Sequence, residues 1–155
     1  MIKTNTLVGF LEESRSIEGI NTPLPEAELV ACGEFLDQDE INITTLTSLV
    51  QVLQPNAELR IRPGMNVQVG KYRPPSGGPS IEDRLSRDLR NPPRHEMGIY
   101  FEHHNYEQLH PFTDGNGRSG RLIWLHRMIR IGYNGELGFL HKWYYQSLAF
   151  SDLLD

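Results

Sequence analysis

Apolar residues first recur at helical spacing through Leu7, Phe10, Leu11 and Ile17, and Gly19 is a natural C-terminal stop. The stripe that begins with Leu7 and Leu11 runs straight into Ser14 and Glu18. A carboxylate on an inward-facing stripe is costly unless a cation meets it. Glu18 therefore either pairs with an arginine or sits solvated at a fraying helix end. A second helix is expected from Pro25, with proline at the first position and Glu26 and Glu28 in the first turn, to about Leu36. After the polar loop of Asp37, Gln38, Asp39 and Glu40, Asn42 caps a third helix. That helix carries Leu46, Leu49, Val50 and Leu53 and ends before Pro55.

The period then changes to two. Leu59-Arg60-Ile61-Arg62 and Val67-Gln68-Val69-Gly70 alternate around Pro63-Gly64, which predicts a β-hairpin. An isolated hairpin is marginal in water, so this one must lie on the helices or bind something. Residues 72–79 are rich in proline and glycine and read as an extended connector rather than a PxxP ligand. Ser80 is expected to cap a helix that turns Ile81, Leu85 and Leu89 inward, and Asn91-Pro92-Pro93 breaks it. A longer helix follows from Arg94 to Leu109. Another carries Leu122, Leu125, Met128 and Ile129. After a turn at residues 131–135, a last helix runs from about Leu137 to Phe150. No internal repeat appears, so the expected fold is mainly α with one hairpin, a single domain over residues 1–155.

Composition adds little to that outline. Apolar residues are 38% and charged residues 23% of the 155, ordinary values for a soluble domain. The net charge of −5 argues against broad nucleic-acid binding, which needs a basic excess to neutralise phosphates. Basic residues do gather at 84–94 and 118–130, a pattern that favours a small phosphorylated ligand. Cys32, the only cysteine, lies among Val30, Ala31 and Phe35 and reads as a buried structural thiol. No run approaches the roughly 18 apolar residues of a membrane span, and no leader is evident, so a cytoplasmic protein without a membrane partner is expected.

Candidate chemistry concentrates in His110-Pro-Phe-Thr-Asp-Gly-Asn-Gly-Arg-Ser-Gly-Arg121. Backbone amides in a glycine-rich turn that opens a helix make an anion site. Arg118 and Arg121, three apart, share a helical face and are expected to close on one anion. Asp114 suits a divalent cation, and His110 suits proton transfer near neutral pH. Together these groups point to phosphoryl or nucleotidyl transfer. Taken alone, His110 is better read as a histidine favoured by a helix C-terminus than as a catalytic group. Zinc on His103, His104 and His110 is disfavoured, because adjacent helical residues point about 100° apart and no HExxH pattern or nearby cysteine exists. The stretch is neither a GxxxxGK(S/T) loop nor a GxGxxG turn after a strand.

The run from His110 to Arg121 resembles the Fic motif, HPFx(D/E)GNGRxxR, at every defined position. The resemblance implies a Fic fold of six to eight helices. It also implies transfer of AMP from ATP, with Mg2+, to a hydroxyl of a target protein. His110 would be the general base and Asp114 the Mg2+ ligand. The backbone at Gly115, Asn116 and Gly117, with the Asn116 side chain, would form the anion hole, and Arg118 and Arg121 would hold the β- and γ-phosphates. Phe112 would anchor the loop. The segment over residues 58–72, with Arg60, Val67, Val69 and Gly70, stands where Fic proteins carry the flap that docks the target. Doc proteins, relatives that transfer a phosphate instead, have lysine where this chain has Gly117, which favours nucleotide transfer here.

Ser14-Arg15-Ser16-Ile17-Glu18-Gly19 is similar to the Fic inhibitory motif, (S/T)xxxE(G/N). The resemblance implies a class II protein whose N-terminal helix, within residues 1–20, places Glu18 on Arg121. Ser14 would assist near Arg118 or within the Glu18 helix. Three alternatives stay open: removal of AMP from a modified target, transfer of UMP or another nucleotide, and a non-catalytic nucleotide-binding module. The target, which could be the chain itself, is not named by the sequence. Neither is the oligomeric state, although Fic proteins often self-associate. Trp124, Tyr133 and Asn134 are candidates for the adenine pocket by proximity in sequence only.

Overall fold

The computed structural model describes residues 2–154 and is mainly helical. Among the described residues seven helices are present: α1 (Thr4–Ile17), α2 (Glu26–Asp37), α3 (Ile43–Leu53), α4 (Pro79–Arg90), α5 (Glu96–Leu109), α6 (Asn116–Arg130) and α7 (Phe139–Leu154). Helix α6 is the axis of the molecule and packs on α1, α2, α3 and α5. From Asn116 to Met128 nearly every side chain of α6 is buried, including Trp124, Leu125 and His126. Such a helix cannot show a clean amphipathic stripe, because it has no solvent face.

Local chemistry sets most boundaries. Asn42 and Thr45 form a reciprocal capping box at the start of α3. Helix α1 ends in a Schellman motif: Gly19 N–H bonds Ser16 O and Ile20 N–H bonds Arg15 O. Gly19 supplies the positive φ of 73° that this motif requires. Glu18 is thereby held at the helix end instead of fraying. Helix α4 starts two residues earlier than expected. Gly78 is its cap and Pro79 its first residue, so Ser80 is not the cap. Pro25 likewise precedes α2 as its cap instead of opening it. Helix α5 begins at Glu96, not Arg94, because His95 Nδ1 accepts Gly98 N–H at 3.1 Å.

The hairpin prediction needs correction. Pro63-Gly64 does form a turn, closed by Met65 N–H on Arg62 O. Its flanks do not pair with each other. Residues 58–60 run antiparallel to residues 111–113, with Arg60 N–H on Pro111 O, Thr113 N–H on Glu58 O and a bridge between Leu59 and Phe112. The other flank closes on itself as a tight turn, in which Val69 and Tyr72 exchange both backbone bonds at 2.9 Å. Period two marks extended backbone; it does not choose the partner. The loop after α5 offered residues 58–60 a partner, and Gly70-Lys71 allowed the second turn.

Helix α1 lies antiparallel along α6. Phe10 meets Trp124 with ring centroids 6.4 Å apart, and both pack on Phe139. One turn further along α1, Ser14 meets Arg121, and one turn beyond that Glu18 lies over Gly117. The aromatic cluster therefore sets the register that carries Glu18 to the mouth of α6. Cys32 is fully buried, and desolvation pushes its thiol up to about 12, which fits an inert structural role. Among the described residues, no helix is long and apolar enough to cross a membrane.

Candidate active site

The residues from His110 to Gly115 join α5 to α6 and are held from several sides. Phe112 is fully buried. The Asn116 side chain clips the loop shut, with its Oδ1 accepting Phe112 N–H at 2.9 Å and its Nδ2 donating to Phe112 O at 2.8 Å. Ser119 Oγ donates to Gly115 O at 2.8 Å and contacts Tyr106 Oη at 2.7 Å. Asn116 was expected to join an anion hole with its side chain. Both ends of that amide are instead committed to Phe112, so only its backbone N–H is left to face a ligand. The amides of Asn116, Gly117 and Arg118 open α6, where a helix has no carbonyl of its own to offer them. Gly115, at φ 76°, turns the chain into that helix.

Glu18, Gln54, Val67, Val69, Gly70, His110, Asp114 and residues 115–118 share the walls of one cleft of about 710 Å3. That volume lies within the range of ligand sites. Val67, Val69 and Gly70 form its outer rim, Val67 half-buried and the other two exposed. Asp114 is exposed, and its Oδ1 accepts only the N–H of its neighbour Gly115. No cluster of three metal-ligating side chains that could hold an ion exists among the described residues. One free carboxylate suits Mg2+, a hard cation that takes few protein oxygens and completes its shell with water and phosphate.

His110 is half-buried at the end of α5. It is the only non-glycine residue with positive φ among the described residues, at 49°. Its Nδ1 lies 3.3 Å from Glu107 O, so an N–H there donates to that carbonyl and Nε2 keeps the lone pair. Burial holds its imidazole below the usual histidine range, so the ring is neutral at pH 7.

The two motif arginines point to different neighbours in this structure. Arg118 lines the cleft, donating to Gln54 Oε1 at 3.1 Å, with Nη1 4.0 Å from Glu28 Oε1. Glu28 in turn pairs with Arg15 of α1 at 2.8 Å. Arg121 points to α1 instead. Its Nε donates to Ser14 Oγ at 2.6 Å, and its Nη2 donates to Ser14 O at 3.1 Å and to Glu18 Oε1 at 2.7 Å. Ser14 thus bonds Arg121, not Arg118. Residues three apart on a helix are offset by about 60° in projection, enough to send them to different neighbours. The basic run at 118–130 is likewise no surface patch. Arg127 is buried on Glu102 at 3.0 Å, and Arg130 bonds the carbonyls of Leu36 and Gln38 at the end of α2.

Two further expectations are corrected. Arg60 is fully buried and bonded to backbone carbonyls, so its side chain cannot meet a target. Trp124 is fully buried with its Nε1 on Gln146, and Tyr133 and Asn134 lie beside other pockets, so none of the three borders the cleft. Sequence reasoning missed Gln54 and Glu28, which hold Arg118, and Glu107. One oxygen of Glu107 is sealed from solvent without a hydrogen-bond partner, 3.6 Å from His103 Nε2. Burial pushes its carboxyl up to about 7. Its position one turn before His110 was a signal available in the sequence.

The Fic/DOC family model matches residues 46–126, from α3 through the loop and most of α6. Members of this family commonly transfer a nucleotide to proteins. Ser14 and Glu18 lie outside the matched span. A search of curated proteins returns no significant match. With its motif residues gathered on one cleft and more than half its length matched, the chain belongs to the Fic/DOC family.

Proposed function

We propose that this protein is an adenylyltransferase that moves AMP from ATP to a hydroxyl of a target protein and is held in check by Glu18. The observation that carries the activity is the meeting of His110, Asp114 and the free amides of residues 116–118 on one cleft. The neutral His110 Nε2 accepts the proton of the attacking hydroxyl. The amides at the start of α6, helped by the helix dipole, hold phosphate oxygens. Arg118, steadied by Gln54 and Glu28, adds positive charge to that cradle. Asp114 would hold Mg2+, which when bound neutralises phosphate charge. The rim at Val67, Val69 and Gly70 would dock an extended target segment, with strand-like pairing through Val67, since the Val69 backbone is already bonded to Tyr72. The adenine base rests on the motif resemblance and on glycine, not lysine, at position 117.

The check rests on the 2.7 Å bond between Glu18 and Arg121. With Glu18 seated, Arg121 is unavailable to a terminal phosphate, and a carboxylate occupies the space above Gly117. Incubation of the Glu18→Gly chain with labelled ATP and cell lysate tests the proposal. Label should appear on protein and vanish when His110→Ala is added. No label in Glu18→Gly, or equal label in both, would refute it.

Hydrolytic removal of AMP from a modified target is a second reading, favoured by one observation. Glu18 lines the same cleft as His110 and engages only its Oε1, so Oε2 is free to orient a water. Release of AMP from a modified protein by the unaltered chain, followed by mass spectrometry, separates the two directions.

A further inference from the structure

Arg60 is a fully buried cation with no carboxylate within 4 Å among the described residues. Four of its five N–H donors instead meet backbone carbonyls. Nε donates to His110 O at 2.7 Å, and Nη2 donates to Leu109 O at 2.8 Å. Nη1 donates to Met65 O at 3.0 Å and to Pro75 O at 2.8 Å. The first two acceptors are the last carbonyls of α5, the negative end of its dipole, which is where a buried cation is best tolerated. The third belongs to the flap turn and the fourth to the connector that follows the flap. The Arg60 backbone adds two more ties, its N–H to Pro111 O and its carbonyl to Gly78 N–H.

One residue thus joins three segments that sequence separates: the end of α5 with the His110 loop, the flap turn at Met65, and the connector at Pro75 to Gly78. Beyond the pairing of residues 58–60 with residues 111–113, little else holds the flap. Residues 61–64 and 68–73 are exposed, and the ties of this part are Tyr72 Oη on Gln108 O at 2.8 Å and Gly77 N–H on Asn66 Oδ1 at 3.0 Å. His110 meanwhile sits in the left-handed region, which disfavours a residue with a Cβ. Its carbonyl is turned to Arg60 Nε.

We propose that Arg60 is a positioning residue: its guanidinium fixes the flap and the backbone of His110 in one register, so that a segment docked on the flap brings its hydroxyl to the imidazole. This rests on the adenylyltransferase reading above. It assigns Arg60 no contact with substrate. A single rigid fork suits the task, because a docked strand is useful only if its distance from the base is set.

The test uses Arg60→Met and Arg60→Lys, each in the Glu18→Gly chain. Residue-resolved hydrogen exchange, the His110 13Cα shift and calorimetric MgATP binding are compared with Glu18→Gly alone. In Arg60→Met the amides of Met65, Val69, Tyr72 and Gly78 should exchange about tenfold faster or more, since charge-assisted bonds are lost. The His110 13Cα shift should leave its left-handed value. Amides in the middle of α6 and the MgATP Kd should stay within about twofold, because neither depends on the flap. Arg60→Lys, with three donors, should restore part of both flap and His110 signals. If Arg60→Met does not fold, Arg60→Lys carries the comparison, with an intermediate flap acceleration expected. Unchanged flap exchange and an unchanged His110 shift overturn the proposal. So does uniform acceleration of all amides, which would make Arg60 a core cation only. If Glu18→Gly binds no MgATP, the adenylyltransferase reading fails while the flap and His110 measurements still decide the role of Arg60.

Discussion

Glu18 Oε1 and Arg121 Nη2 lie 2.7 Å apart, although 103 residues separate them in the chain. The contact closes α1 onto the start of α6, at the edge of the cleft that holds His110. Glu18 is about 40% exposed and Arg121 is buried, so the pair is reachable by a ligand yet held on one side. Replacing Glu18 by glycine should free Arg121, tighten MgATP binding and raise label transfer from ATP. Arg121 keeps Ser14 as a partner, so unfolding in urea should change by less than about 1 kcal/mol, as for other partly exposed ion pairs.

Gly117 is the residue on which the Glu18 carboxylate rests. A Cβ built there collides with Glu18 Oε1 and approaches Arg121 Nη1 to 3.2 Å. Gly117→Ala should therefore push the half-exposed Glu18 carboxylate off Arg121, at a cost of no more than about 1 kcal/mol in the intact chain, the worth of such a pair. In Glu18→Gly the same change should be neutral or stabilising by up to about 1 kcal/mol, because alanine is the better helix former. The double-mutant cycle from urea unfolding checks this. Additive effects would mean that the carboxylate does not sit over Gly117.

Ser14→Ala removes the acceptor of the buried Arg121 Nε. An unsatisfied buried donor costs about 1–3 kcal/mol, and Arg121 loses the restraint that aims it at Glu18. Chemical denaturation should show the loss, and MgATP affinity should rise toward that of Glu18→Gly.

Asp114→Asn tests the metal assignment. Asp114 is exposed, so stability should move by no more than about 0.5 kcal/mol. In the Glu18→Gly background, ATP binding should lose most of its dependence on Mg2+ in calorimetric titrations. Retained Mg2+ dependence would place the cation on other residues.

Two opposing titrations overlap, with two histidines outweighing Glu107 until their window closes, so stability should peak at about pH 6.5. Glu107 is raised from 4.5 to about 7 by burial. Between those pH values the folded state keeps a proton that the unfolded chain has released, so stability falls as pH rises. His103 and His126 are lowered to about 4, both chiefly by burial. Between 4 and 6.5 the unfolded chain binds protons that the folded state refuses, so stability falls as pH drops. Glu107→Gln should flatten the alkaline side, raising stability at pH 8 relative to pH 5 in parallel denaturation curves. An unchanged slope would remove Glu107 from the account.

The helices and the motif were legible in the sequence because they depend on neighbours in the chain. Apolar spacing, the Asn42 capping box and the Gly19 stop are local, and each names its element. The stripe from Leu7 to Glu18 even posed the question of a cationic partner. Periodicity caught α6 only through Leu122, Leu125, Met128 and Ile129, because a helix buried on nearly all sides has little polar face to contrast with an apolar one. The tertiary structure decided pairings between distant segments. Residues 58–60 joined residues 111–113 and not their nearer neighbours. Arg118 and Arg121 parted, one toward α2 and α3 and the other toward α1. Asn116 closed the loop with its side chain, and Arg60 went inward to gather carbonyls from three segments. A residue type states what an atom can bond; only packing brings the partner within 3 Å of it.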